Sequence, residues 1–160
     1  MMSMAGCGSG TSSRHQSSEP DEEEIDPMDA MKYKSEEIVN RFASEQGCSV
    51  EGADKLFEQV KMFLIVCAVK KGPFAPSVVM DEMWHMFVLH MKHYEEFCNM
   101  MGVMVYHIPT EPHLRPGLIR PAEELLEEAT KLFGRKIDKV LWPSPSEENT
   151  VSGDHSTGEE

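Results

Sequence analysis

The run VVMDEMWHMFVLHMKHYEEFCNMMGVMVYHIP, residues 78–109, decides how the chain folds, because a dense apolar pattern and several potential ligand side chains share it. Ser77 before it suits a helix N-cap and Gly102 a helix stop, so one helix can extend from 78 to 101. On a straight helix each residue turns ~100° and rises ~1.5 Å. Counted from Asp81, the side chains of Met80, Met83, Trp84, Phe87, Val88, Met91, Tyr94 and Cys98 then lie on one face, between about 200° and 340°. That face is the expected buried one. Asp81 and His85 stand one turn apart on its border, placed for a carboxylate–imidazole bond or for joint ligation of an ion. His90 and His93 point to other sides and are expected in water.

Asp81, His85, Cys98 and His107 are the candidate metal ligands, since carboxylate, imidazole and thiolate suit zinc or iron. A straight helix separates His85 from Cys98 by ~20 Å, which no single ion spans. The five residues after Gly102 reach at most ~18 Å, which returns His107 beside Met91 but hardly to His85. Cys98 is therefore either a core thiol or a ligand in a helix that breaks near residues 90–93. The competing structural reading pairs His85 with Asp81 near the helix start, buries Cys98 and uses His107 in a turn. No HExxH, no Cys–His dyad at helical offsets and no glycine-rich phosphate loop is present, so no catalytic residue can be assigned.

Outward from this run, Asp26-Pro27 reads as the start of a first helix that carries Met31, Ile38, Val39, Phe42 and Ala43 and stops at Gly47. Ser49 caps a second, whose apolar set Leu56, Phe57, Val60, Phe63, Leu64, Cys67 and Ala68 keeps helical spacing up to Gly72-Pro73. Cys67 lies inside that stripe and is expected as a small buried hydrophobe. After the central run VMVYH is short and β-prone, and IPTEPHLRPGLIRP carries prolines that forbid a long helix. Pro121 opens a helix over AEELLEEATKLF that ends at Gly134, and Ile137, Val140, Leu141 and Trp142 close the ordered part. The fold class is all-α: one domain of four to five helices over residues 27–142, between acidic tails at 1–26 and 143–160 that are too polar to order. Ser17 and Ser18, beside acids, are potential kinase targets within a solvated tail.

The net charge of −13 resides mostly in those tails, with −5 in residues 1–27, −5 in 143–160 and −3 between. Without a basic surface neither a nucleic-acid nor a membrane partner is expected. Four scattered cysteines, no signal segment and no apolar run of spanning length point to a reduced, cytoplasmic setting. The thirteen methionines, seven of them between Met80 and Met104, fit three roles: core fillers, soft Cu(I) ligands, or the lining of a groove for a partner helix. At helical spacing the core role is expected.

The pattern of Asp81, Trp84, His85, Phe87 and Leu89, then Tyr94, Phe97 and Cys98, then Gly102, His107 and Pro109 resembles the glycine-rich domain-containing-protein-like family. Leu132-Phe133-Gly134 and Trp142 extend the resemblance, which covers roughly half the chain. Met91 stands where that family has a Thr able to cap a second helix, and Tyr106-His107 stands where it has two histidines. The resemblance implies a fold unit and no settled activity. The expected function is a helical binding or adaptor module, stabilised by an ion if the four ligands converge, with a protein as partner. The alternative is a zinc or iron enzyme built on the same four residues.

Overall fold

A computed structural model describes residues 23–107 and 119–145. The first-tail serines, the segment 108–118 and most of the second tail lie outside the described residues. Among the described residues five α-helices run in order: α1 Glu36–Gln46, α2 Val50–Lys70, α3 Val78–Leu89, α4 Met91–Met101 and α5 Ala122–Phe133. Two 3-10 turns, Pro27–Lys32 and Gly134–Lys136, flank the set. The all-α expectation holds, and no strand forms among the described residues, the β-prone 103–107 included. None of these helices is long and apolar enough to cross a membrane.

α2 is the axle. Ser49 caps its start, accepting from the N–H of Gly52 at 3.0 Å. From Gln59 to Ala68 every residue is buried, because α1, α3, α5 and the first 3-10 turn all pack on it. A helix covered all round is what a central position demands, and the amphipathic stripe read from the sequence is only its most apolar side. Its end departs from expectation: Lys71, with φ 51°, takes the left-handed position that a glycine usually fills. Gly72 serves a different need, since a Cβ there would meet Cδ of Arg120 at 2.2 Å. Arg120 donates to the Lys70 carbonyl at 2.9 Å and to Glu124 at 2.8 Å while lying over Phe74, so it fastens α5 to the end of α2.

The expected first helix is two elements. Asp26 does cap Pro27–Lys32, but the chain then runs extended through Tyr33, and Ser35 recaps α1 by accepting from the N–H of Ile38 at 3.3 Å. The interruption has a partner in the core: the Lys61 ammonium, wholly buried, donates to the carbonyls of Met31 at 3.0 Å and Tyr33 at 2.6 Å. A continuous helix would consume those carbonyls internally.

At the far end, Gln59 gathers the tail segment. Its Oε1 accepts from Asp138 N–H at 3.0 Å and Trp142 Nε1–H at 2.7 Å, and its Nε2 donates to the Lys136 carbonyl at 2.9 Å. Ile137 and Trp142 are buried, and Val140 faces solvent. Phe87 of α3 is the aromatic hub, with ring centroids of Phe57, Tyr94, Phe97 and Tyr33 at 5.0, 5.1, 5.2 and 5.9 Å.

Candidate functional site

The long helix allowed over 78–101 is broken. His90, at φ −89° and ψ 67°, ends α3 and begins α4; its N–H donates to the carbonyls of Met86 and Phe87, and its own carbonyl accepts from Tyr94 N–H at 3.0 Å. Met91, expected on the buried face, is thereby turned into solvent. α4 folds back toward α3 and ends at Gly102, where Val103 N–H reaches the Cys98 carbonyl at 3.2 Å and starts the chain back toward α3.

That return carries His107 to the start of α3. Its Nε2 stands 2.7 Å from Asp81 Oδ1, and its ring meets the Trp84 indole edge-on at 4.5 Å. His85 is exposed, and its ring centroid lies 5.9 Å from that of His107. The corner is held from beneath: Trp84 Nε1–H donates to the Tyr94 hydroxyl at 3.1 Å, and that hydroxyl donates to the Val105 carbonyl. Burial pushes the Tyr94 phenol well above its ordinary range, so it remains a neutral donor.

Of the four candidate ligands, Asp81 and His107 are brought into contact, and His85 lies next to His107 without a hydrogen bond to Asp81. Cys98 is elsewhere: it is buried against Tyr94 and the Val105 backbone, and burial raises its thiol, so it is a protonated core group. Among the described residues no group of three His, Cys, Asp or Glu side chains stands in a geometry that would hold an ion. A cavity of about 200 Å³ lined by Phe74, Ser77, Arg120 and Leu125, and an open depression of about 710 Å³ lined by Lys34, Glu36, Val50 and Asp54, do not include any of the four.

Around the pair, the outward face of α3 mixes polar side chains with exposed apolar ones. Asp81, His85 and Leu89 follow one another at four-residue spacing, with Val78 and Glu82 beside them, so they form one stripe along the helix. Val78 is 80 % exposed, Leu89 66 %, Met91 just beyond the break 76 %, and Tyr106, next to His107, 74 %.

A second polar cluster, placed in solvent by the straight-helix reading, forms at the break. The His90 side chain is only 10 % exposed, with Nδ1 2.8 Å from the Met86 carbonyl. His93 spans Tyr33 and α1: Nδ1 lies 2.6 Å from the Tyr33 hydroxyl and Nε2 3.1 Å from Glu37 Oε2. Burial, and then the nearby carboxylates of Glu96 and Glu37, push the Tyr33 phenol up to about 12. The sequence signal was the His-x-x-His spacing at 90–93, which sets two imidazoles one helical turn apart.

A family model described as UCP032817-like matches residues 21–118, which includes α1 to α4 and the return to His107. No curated protein and no solved structure matches the chain.

Proposed function

The chain belongs to the UCP032817-like family, and from the surface that its matched segment builds we propose that it is a non-catalytic protein-binding module whose contact face is the outward stripe of α3 with Met91 and Tyr106. The observation that carries this is the exposure of four large apolar side chains, Val78, Leu89, Met91 and Tyr106, around one polar centre, Asp81–His107 with His85. Exposed large apolar side chains beside a fixed hydrogen-bonded pair support an interaction patch: the apolar groups supply affinity and the pair supplies register. The Trp84–Tyr94–Val105 chain of hydrogen bonds beneath keeps that patch rigid, which lowers the entropy lost on binding.

The test is affinity capture with a crosslinking residue placed at Glu82, comparing the native chain with a Leu89→Ser, Met91→Ser, Tyr106→Ser variant. Truncating an interface hot spot costs ~2 kcal/mol or more, and the triple change removes three of the four exposed apolar side chains, so a stoichiometric partner crosslinked to the native chain should be lost by the variant at unchanged melting temperature. Equal crosslinking by both, or metal-dependent turnover by the purified chain with no partner, would overturn the reading.

A further inference from the structure

The cluster at the α3–α4 break has an electrostatic gap. The Met86 carbonyl can only accept, so Nδ1 of His90 carries the ring proton and Nε2 of the neutral ring presents a bare lone pair. That Nε2 is buried, has no hydrogen-bond partner, and lies 4.0 Å from Glu37 Oε1. Two electron-rich atoms facing each other repel unless a cation stands between them. The second ring turns to the same carboxylate as a donor: Nε2–H of His93 donates to Glu37 Oε2 at 3.1 Å, and Nδ1 is anchored on the Tyr33 hydroxyl at 2.6 Å. Each imidazole thus turns its outer nitrogen toward Glu37 and has its inner nitrogen fixed by an oxygen of the fold. Metal-ligating histidines are oriented in this way.

We propose that Glu37, His90 and His93 bind one divalent transition-metal ion, of the zinc or nickel kind, which clamps α1 to the α3–α4 break. Two imidazoles and a carboxylate select such ions over calcium or magnesium, which prefer all-oxygen shells. Two imidazoles on one tetrahedral ion at Zn–N distances of ~2.1 Å hold their ring centroids ~5.3 Å apart, so the rings of His90 and His93, now 6.1 Å apart, must close by about 0.8 Å. As they stand the donors are spread too widely to share an ion. Two donors on a tetrahedral ion sit ~3.3 Å apart, so the 4.0 Å gap must close by about 0.7 Å. Glu37 makes that movement, since its side chain is 67 % exposed. Coordination also fixes the protons: the one on Nε2 of His93 passes through solvent to Nδ1, which then donates to Tyr33, and the Tyr33 hydroxyl turns to the neighbouring Glu96 carboxylate. No proton is lost overall. The fourth position is left to water.

The test is calorimetric titration of the full, untagged, chelator-stripped chain with zinc chloride and then nickel chloride, together with its thermal melting in each metal. The native chain should take up one ion and melt higher with it. Glu37→Gln, a change at an exposed side chain, should weaken that binding at least ten-fold, and His93→Gln should do the same; His85→Ala, in the neighbouring corner, should leave it unchanged. Absence of a one-to-one binding step, binding unaltered by Glu37→Gln, or binding lost in His85→Ala would each overturn the proposal. A melting temperature that follows pH with no response to either metal would also overturn it, and would make a proton the cation between His90 and Glu37.

Discussion

Lys61 is a cation at the centre of the axle helix, its side chain wholly out of water. Desolvation lowers its pKa, yet three acceptors surround the ammonium: the carbonyls of Met31 and Tyr33, and Glu58 at 2.6 Å. A buried charge so partnered is costly to disturb on one side only, because removing the cation leaves two buried carbonyls without their donor and the Glu58 carboxylate with Lys34 alone. Lys61→Met keeps the volume and deletes the charge, and it should destabilise the fold by about 3 kcal/mol in urea unfolding. Lys55→Met, at an exposed ion pair with Glu51, should change stability by less than about 0.5 kcal/mol. Equal effects at the two sites would refute the role given to Lys61. The sequence could not flag this residue. Lys61 falls on what periodicity labels the polar side of α2, and it is buried only because the turn Pro27–Lys32 crosses that side. A long-range cover leaves no trace in the local pattern of the helix it covers.

Among the elements, helix starts and stops written in local chemistry were legible: Ser49, Ser77 and Pro121 open helices where expected, and Gly47, Gly102 and Gly134 end them. The break at His90 was legible only as a condition, since the reach of five residues demanded it before His107 could approach the start of α3. Its occurrence was not, because His90 makes no side-chain cap to α4 and neither Gly nor Pro marks the site. What holds the break is tertiary: the Phe87 aromatic cluster, the Trp84–Tyr94 hydrogen bond and the grip of Glu37 on His93. The same missing break placed His90 and His93 wrongly in water. The turn after α4 is under tighter local control. Gly102 has φ 81°, and a Cβ there would come within 3.1 Å of Ile25 Cγ2. Gly102→Ala should therefore cost about 1–2 kcal/mol, from the left-handed backbone plus the displaced Ile25. Because this turn aims residues 103–107 at α3, the same variant should weaken the Asp81–His107 contact, seen as faster exchange of the His107 ring signals by NMR. Unchanged stability and unchanged ring signals would mean the turn does not aim the segment.

For the molecule as a whole, the groups that burial holds neutral set its behaviour in alkali. Burial pushes the Cys67 thiol from its ordinary 9.0 up to about 12, and burial with the nearby Glu96 pushes the Tyr33 phenol from 10.0 to about 12. The Tyr94 phenol and the Cys98 thiol move upward for the same reason, desolvation. In each case the unfolded chain loses its proton first as pH rises, so the native state binds more protons between the ordinary and the raised values. Stability is then full below about pH 9 and falls as pH rises through the folded-state values. Lys61 acts in the opposite sense: its folded pKa lies below the ordinary 10.5, so the unfolded chain holds the extra proton and stability rises with pH up to that value. One group against four does not reverse the trend. Urea midpoints taken under reductant at pH 8, 10 and 11 should fall steadily in the native chain. Cys67→Ala removes one of the four titrating groups. It should lower the midpoint at pH 8 through the cavity it leaves, and should flatten the fall between pH 8 and 11. The change in slope separates a thiol kept neutral by burial from one that only fills space: a variant whose curve is displaced but parallel would show that Cys67 contributes packing and no proton linkage.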